Sequence, residues 1–131
     1  MRKIIIAENH FAVRNSINRV LSEIPGLEVV AEAINARELL YKLRKIEVDL
    51  ILLDISLPGQ TGIELLAGIR KKYPAIPVLV MGMGADADYE QMILQEGAAG
   101  FVCKEEIATE VVTAISVALN LPGNLVRTEQ L

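Results

Sequence analysis

Two carboxylates, an amide and an ammonium stand at the ends of short apolar runs in this chain of 131 residues. Glu8 and Asn9 follow Ile4-Ile5-Ile6-Ala7, Asp54 follows Leu50-Ile51-Leu52-Leu53, and Lys104 follows Phe101-Val102-Cys103. Brought together, the oxygens make a hard site of the kind Mg²⁺ takes, and the ammonium offers a neighbouring contact for an anion. Each residue alone signals little. An Asp at a strand end more often caps a turn, Glu8 and Asn9 can equally cap the helix that follows them, and most lysines are simply solvated. The set has meaning only if the fold delivers all four to one edge.

The hydropathy pattern supplies such a fold. Runs at Ile4 to Ala7, Leu27 to Ala31, Val48 to Leu53, Pro77 to Met81 and Ala99 to Cys103 are short, rich in Val, Ile and Leu, and bounded by polar or turn residues, so they predict five strands. The third is almost continuously apolar, as a central strand buried on both faces must be. Helical spacing fills the gaps: Phe11 to Ile24, Ala36 to Ile46, Ile63 to Tyr73, Ala87 to Glu96 and Glu106 to Leu119. Asn35 with Glu38 forms a capping-box start, and Pro25-Gly26, Pro74 and Gly97 are stops. Five strand–helix alternations predict a doubly wound α/β fold, a (βα)₅ three-layer sandwich, and the common order for five such units is the flavodoxin-like parallel order 2-1-3-4-5. In that order ligands sit beyond the carboxyl ends of the strands, where Glu8, Asn9, Asp54, Gly82 and Lys104 all fall.

Composition bounds the rest. With 52% apolar and 23% charged residues the chain is too hydrophobic for disorder, and its apolar runs are far too short to span a membrane. A net charge of −4 without a basic stripe argues against direct nucleic-acid binding by this segment. One cysteine permits no internal disulfide and the N-terminus lacks a signal sequence, so a cytoplasmic location is expected. The domain is expected over residues 1–120, with 121–131, opening on Leu121-Pro122-Gly123, as a tail or the start of a linker.

Against this background Asp54-Ile55-Ser56-Leu57-Pro58-Gly59-Gln60-Thr61-Gly62 resembles the phosphoacceptor loop of bacterial response-regulator receiver domains, which have the CheY-like form of this fold. Ala98-Ala99-Gly100-Phe101-Val102-Cys103-Lys104 resembles their second hallmark, a strand ending in lysine. The likeness runs from Lys3 to Leu119 and is strongest to the subfamily with a LuxR-type helix-turn-helix output, in which an acidic pair followed by His corresponds to Glu8-Asn9-His10. It implies that Asp54 accepts a phosphoryl group from a sensor histidine kinase, that Lys104 contacts that group, and that Mg²⁺ is held by Glu8, Asn9, Asp54 and the carbonyl of Ser56. It also implies a DNA-binding output domain in a longer protein, with homodimers through the face of helix four, strand five and helix five.

Two departures qualify these expectations. The family usually has aspartate where this chain has Asn9, so Mg²⁺ binding is expected to be weak. At Gly82, 22 residues before Lys104, it usually has a Ser or Thr whose hydroxyl follows the phosphoryl group. Gly82 has no hydroxyl to give, and Phe101, at the aromatic switch position, has no lever to follow. The expected function is therefore a non-enzymatic signalling module, an atypical receiver regulating a transcriptional output. The alternatives are a conventional Mg²⁺-dependent receiver and a flavin-binding domain of similar topology, although Glu8 puts an acid where a flavin phosphate loop needs donors. His10 is expected as an exposed helix residue without a metal role, Cys103 as a small buried hydrophobe, Gly82-Met83-Gly84 as a flexible loop, and Val117 as an exposed apolar group on the last helix.

Overall fold

The computed structural model describes residues 1–84 and 86–121. The expected tail, apart from Leu121, lies outside the described residues. Strands β1 (Arg2–Ala7), β2 (Leu27–Ala33), β3 (Leu50–Asp54), β4 (Val78–Gly82) and β5 (Gly100–Cys103) alternate with helices α1 (Phe11–Ser22), α2 (Ala36–Lys45), α3 (Gly62–Lys72), α4 (Ala87–Gln95) and α5 (Ile107–Ala118). All pairings are parallel and the sheet order is β2-β1-β3-β4-β5, the expected order. Among the described residues no helix is long and apolar enough to cross a membrane.

β3 is central and buried on both faces. Ile51 and Leu53 join the apolar layer beneath α2, α3 and α4, while Leu50 and Leu52 join the one beneath α1 and α5. Each such side chain contributes about 1.5–3 kcal/mol by leaving water. β3 begins two residues later than the apolar run suggests, because Asp49 engages Lys3 outside the ladder. Its N–H donates to the Lys3 carbonyl, and its carboxylate accepts from the Lys3 N–H, both at 2.7 Å.

Helix ends follow local chemistry. Asn35 accepts from the Glu38 N–H at 2.8 Å, and the Glu38 carboxylate accepts in return from the Ile34 N–H at 3.2 Å, closing a capping box shifted by one residue. α1 stops at Ser22, short of the expected Ile24, as the chain tightens into i→i−3 bonds from Glu23 and Ile24 ahead of Pro25-Gly26. A 3₁₀ turn over Lys104–Glu106 delays α5 to Ile107. Ile107, Val111 and Ile115 are buried on one side of α5, and Val117 is 73% exposed on the other.

Candidate functional site

Strand order reverses between β1 and β3, and the cleft beyond their carboxyl ends holds the two acids. Glu8 is the residue after β1 and Asp54 the last of β3, and both are completely buried. Lys104, the residue after β5, reaches them. Its Nζ lies 2.9 Å from Asp54 Oδ2 and 3.1 Å from Glu8 Oε1. Those two oxygens accept no directional hydrogen bond, so the ammonium is what offsets their burial. Two carboxylates against one ammonium leave a negative charge in excess.

The loop that follows Asp54 is fixed at several points. The Ser56 N–H donates to Asp54 Oδ1 at 2.9 Å, and the Ala36 N–H at the start of α2 donates to the Pro58 carbonyl at 2.8 Å. Gly59 has φ +108°, a conformation L side chains rarely adopt. At Gly62 a Cβ would collide with the Ile55 carbonyl, so only glycine lets α3 start this close to the loop.

His10, the N-cap of α1, was not expected to take part. Its backbone N–H and its ring Nδ1 both lie 3.0 Å from Glu8 Oε2, although the side chain is 65% exposed. Neither Glu8 nor Asn9 caps α1. Glu8 turns inward instead, and the exposed Asn9 offers its carbonyl to Arg14 at 3.3 Å. The sequence signal for His10 is its position two residues after a strand-end acid, at a helix start, where the backbone doubles back on that acid.

The two acids ionise differently. Burial disfavours the charged form of Asp54, and the Ser56 N–H and Lys104 only partly oppose it; the charge of Glu8 adds to the effect, so the Asp54 pKa is raised. Burial acts on Glu8 too, but the donors from the His10 backbone, Lys104 and the His10 ring outweigh it and its pKa is lowered. Glu8 therefore holds the negative charge more firmly, and Asp54 protonates first.

Gly82, at the end of β4, is buried beneath the Phe101 ring. A Cβ on Gly82 would stand 2.9 Å from Phe101 Cζ and 3.2 Å from Ile55 Cγ2. The space that a Ser or Thr would need is thus filled by Phe101, which is partly buried against the layer containing Ile55 and Val80. Cys103 departs from expectation: it is half-buried, its Sγ lying where a Cβ on Gly84 would fall. Partial burial and the charges of Glu105, Glu106, Glu110 and Glu90 raise its thiol pKa, keeping it protonated and unreactive.

The donors suit a divalent cation. One ligand atom each from Glu8, His10 and Asp54 lies within 4.8 Å of the others, and the buried excess charge calls for a cation. Mg²⁺, which prefers oxygen, would be held by Glu8 and Asp54, with Asn9 and the Ser56 carbonyl as further oxygen donors. A cavity of about 700 Å³ is bordered by Asn35, Arg37, Tyr41, Arg44, Gly59 and Gln60 and includes none of the charged residues of the cleft. For a flavin, the loop after β1 offers the buried, negatively charged Glu8 where phosphate donors would be required.

Comparison with known proteins agrees with this geometry. Residues 4–116 match the response regulator receiver domain family. The response regulator GacA of Pseudomonas syringae pv. syringae (strain B728a) is 34% identical over 115 residues, covering 88% of this chain and 54% of the relative. This chain therefore spans about half the length of the curated relatives it matches. A two-component response regulator of the LuxR family from Aurantimonas sp. SI85-9A1 superposes with a TM-score of 0.83 at 30% identity, over 97% of this chain and 93% of that one. RcsB of Salmonella enterica serovar Typhimurium, bound to promoter rprA in the presence of the phosphomimetic BeF3-, gives 0.84 at 26% identity over 90% and 98%.

Proposed function

The chain belongs to the response regulator receiver domain family, and from that premise we propose that Asp54 is a working phosphoacceptor whose occupancy is weakly coupled to the rest of the domain. The carrying observation is the pairing of Lys104 Nζ with Asp54 Oδ2 at 2.9 Å in a buried cleft, set beside a β4 end where Phe101 fills the place of the switch hydroxyl.

The chemistry is transfer from a phosphohistidine on a sensor histidine kinase. An Asp54 carboxylate oxygen attacks phosphorus, the P–N bond breaks, and the imidazole leaves with the electron pair and takes up a proton. Lys104 then turns from the carboxylate pair to a phosphoryl oxygen, and the Ser56 N–H holds Asp54 in line. A bound divalent cation would offset the charge gathering between the acids and the phosphoryl group. Gly82 supplies no third contact, so Phe101 keeps its packing.

The output would lie in a DNA-binding domain of a longer protein, a reading supported by the LuxR-family likeness and by the promoter-bound RcsB relative. Homodimers would form through the face of α4, β5 and α5, where Tyr89, Met92 and Val117 are exposed apolar groups. A conventional, fully coupled receiver is the second reading, favoured by the intact Asp54–Lys104 pair. Intact mass after incubation with a small phosphodonor and Mg²⁺ tests the acceptor. One phosphoryl group on wild type and none on Asp54→Ala is expected; an unmodified wild type would overturn the assignment.

A further inference from the structure

We propose that Glu8, His10 and Asp54 form a two-carboxylate, one-histidine site selective for a first-row transition dication, of which Zn²⁺ is the probe, over Mg²⁺. The inference rests on the same cleft as the phosphoacceptor reading and concerns which cation it selects.

Charge is the first argument. Glu8 and Asp54 are fully buried, and Lys104 supplies one positive charge for two negative ones. The pocket needs a further cation. The place for it is set by Lys104, whose shortest contacts to the acids are Glu8 Oε1 and Asp54 Oδ2. Glu8 Oε2 lies nearer His10, with Nδ1 at 3.0 Å, and accepts only a longer hydrogen bond from Lys104 Nζ at 3.3 Å.

Donor type is the second argument. Mg²⁺ demands oxygen ligands in near-ideal octahedral array, whereas zinc and its neighbours accept imidazole readily. The third titratable donor here is a nitrogen. Asn9 is exposed and uncharged, so it adds no third negative oxygen. Metal–ligand bonds of about 2.0–2.2 Å place tetrahedral donors roughly 3.5 Å apart. The three ligand atoms, within 4.8 Å of one another, need to close by about 1 Å. The 65% exposed His10 ring can make that movement and also marks an entry path from solvent. Ligation through Nδ1 needs no net proton loss, because the proton can pass by way of water to Nε2.

The sequence makes the test clean, since His10 is the only histidine. Tag-free chain would be titrated with Zn²⁺ and separately with Mg²⁺, without phosphodonor, by calorimetry and by the ¹⁵N resonances of the His10 ring. The titrations would be repeated for His10→Ala, Asn9→Asp and Cys103→Ser, the last because Cys103 is the other soft donor. Zn²⁺ should move a ring nitrogen of His10 and Mg²⁺ should not. His10→Ala should weaken Zn²⁺ at least tenfold while leaving Mg²⁺ within twofold, and Asn9→Asp should tighten Mg²⁺. An unmoved ring, equal losses for both ions, or a zinc affinity that falls in Cys103→Ser instead would overturn the site. Failure here with a normal mass shift on Asp54 rejects the metal assignment alone; success here without the mass shift rejects only the acceptor.

Discussion

The two walls of the cleft are built from different physics. On one, Glu8, Asp54 and Lys104 are charged groups held apart from water, and their balance changes whenever a proton, cation or phosphoryl group enters. On the other, Gly82, Ile55 and Phe101 are packed together and have no side-chain donor or acceptor. The contrast teaches that one edge of a sheet can join a wall sensitive to charge with a wall that only packs.

The largest expected effect comes from unbalancing the charged wall. Lys104→Met leaves two buried carboxylates without a counter-ion, and urea denaturation at pH 7 should show a loss of about 3 kcal/mol. The loss should shrink in acid as Asp54, the more readily protonated of the pair, becomes neutral. A loss independent of pH would mean that Lys104 matters only for packing.

Gly82→Thr attacks the packed wall. The new side chain must displace Phe101, at a cost of about 1–3 kcal/mol, and supplies a hydroxyl at the end of β4. Stability should fall, Phe101→Ala in the same chain should recover part of it, and the response of α4 to a phosphomimetic should grow. A Gly82→Thr variant as stable as wild type would show that the ring moves freely.

Much of this contrast was legible in the sequence. Strands and helices follow from runs such as Leu50–Leu53, because a strand buried on both faces admits almost no other composition. The rule for parallel sheets then puts Glu8, Asp54 and Lys104 on one edge. Contacts that depend on how the chain doubles back were not legible. His10 meets Glu8 because the turn into α1 folds its N–H and ring onto the same oxygen, and no periodicity encodes that. Nor could the pattern tell that Phe101 occupies the space above Gly82, since a glycine at a strand end reads equally well as an open loop.

Asp54→Asn gives a smaller effect of opposite sign. The raised pKa of Asp54 means that its charged form is disfavoured by folding, so the native state is penalised at neutral pH. That penalty fades as pH falls through the raised folded value and is gone below the ordinary aspartate value. Asp54→Asn should therefore stabilise by ~1 kcal/mol at pH 7 and by nothing near pH 3, as measured by denaturation at each pH. A constant gain across that range would contradict the titration.

The smallest effect concerns the outer face. Val117→Glu should change stability by less than about 0.5 kcal/mol, because Val117 is exposed, yet weaken any dimer through α4, β5 and α5. Glu90, Glu105, Glu106 and Glu110 cluster around Cys103 on that face, so a two-fold pairing sets like charges against each other and should tighten with added salt. Sedimentation at two ionic strengths checks both; a dimer that loosens with salt or ignores Val117→Glu uses another surface.

Amide chemical shifts of the wild-type chain, recorded with and without a saturating phosphomimetic in Mg²⁺, test the separation of chemistry from signalling most directly. Shifts confined to the cleft, at Glu8, Ser56 and Lys104, are predicted, with Phe101 and Tyr89 unmoved. Shifts at Phe101 and Tyr89 as large as those at the cleft would contradict it.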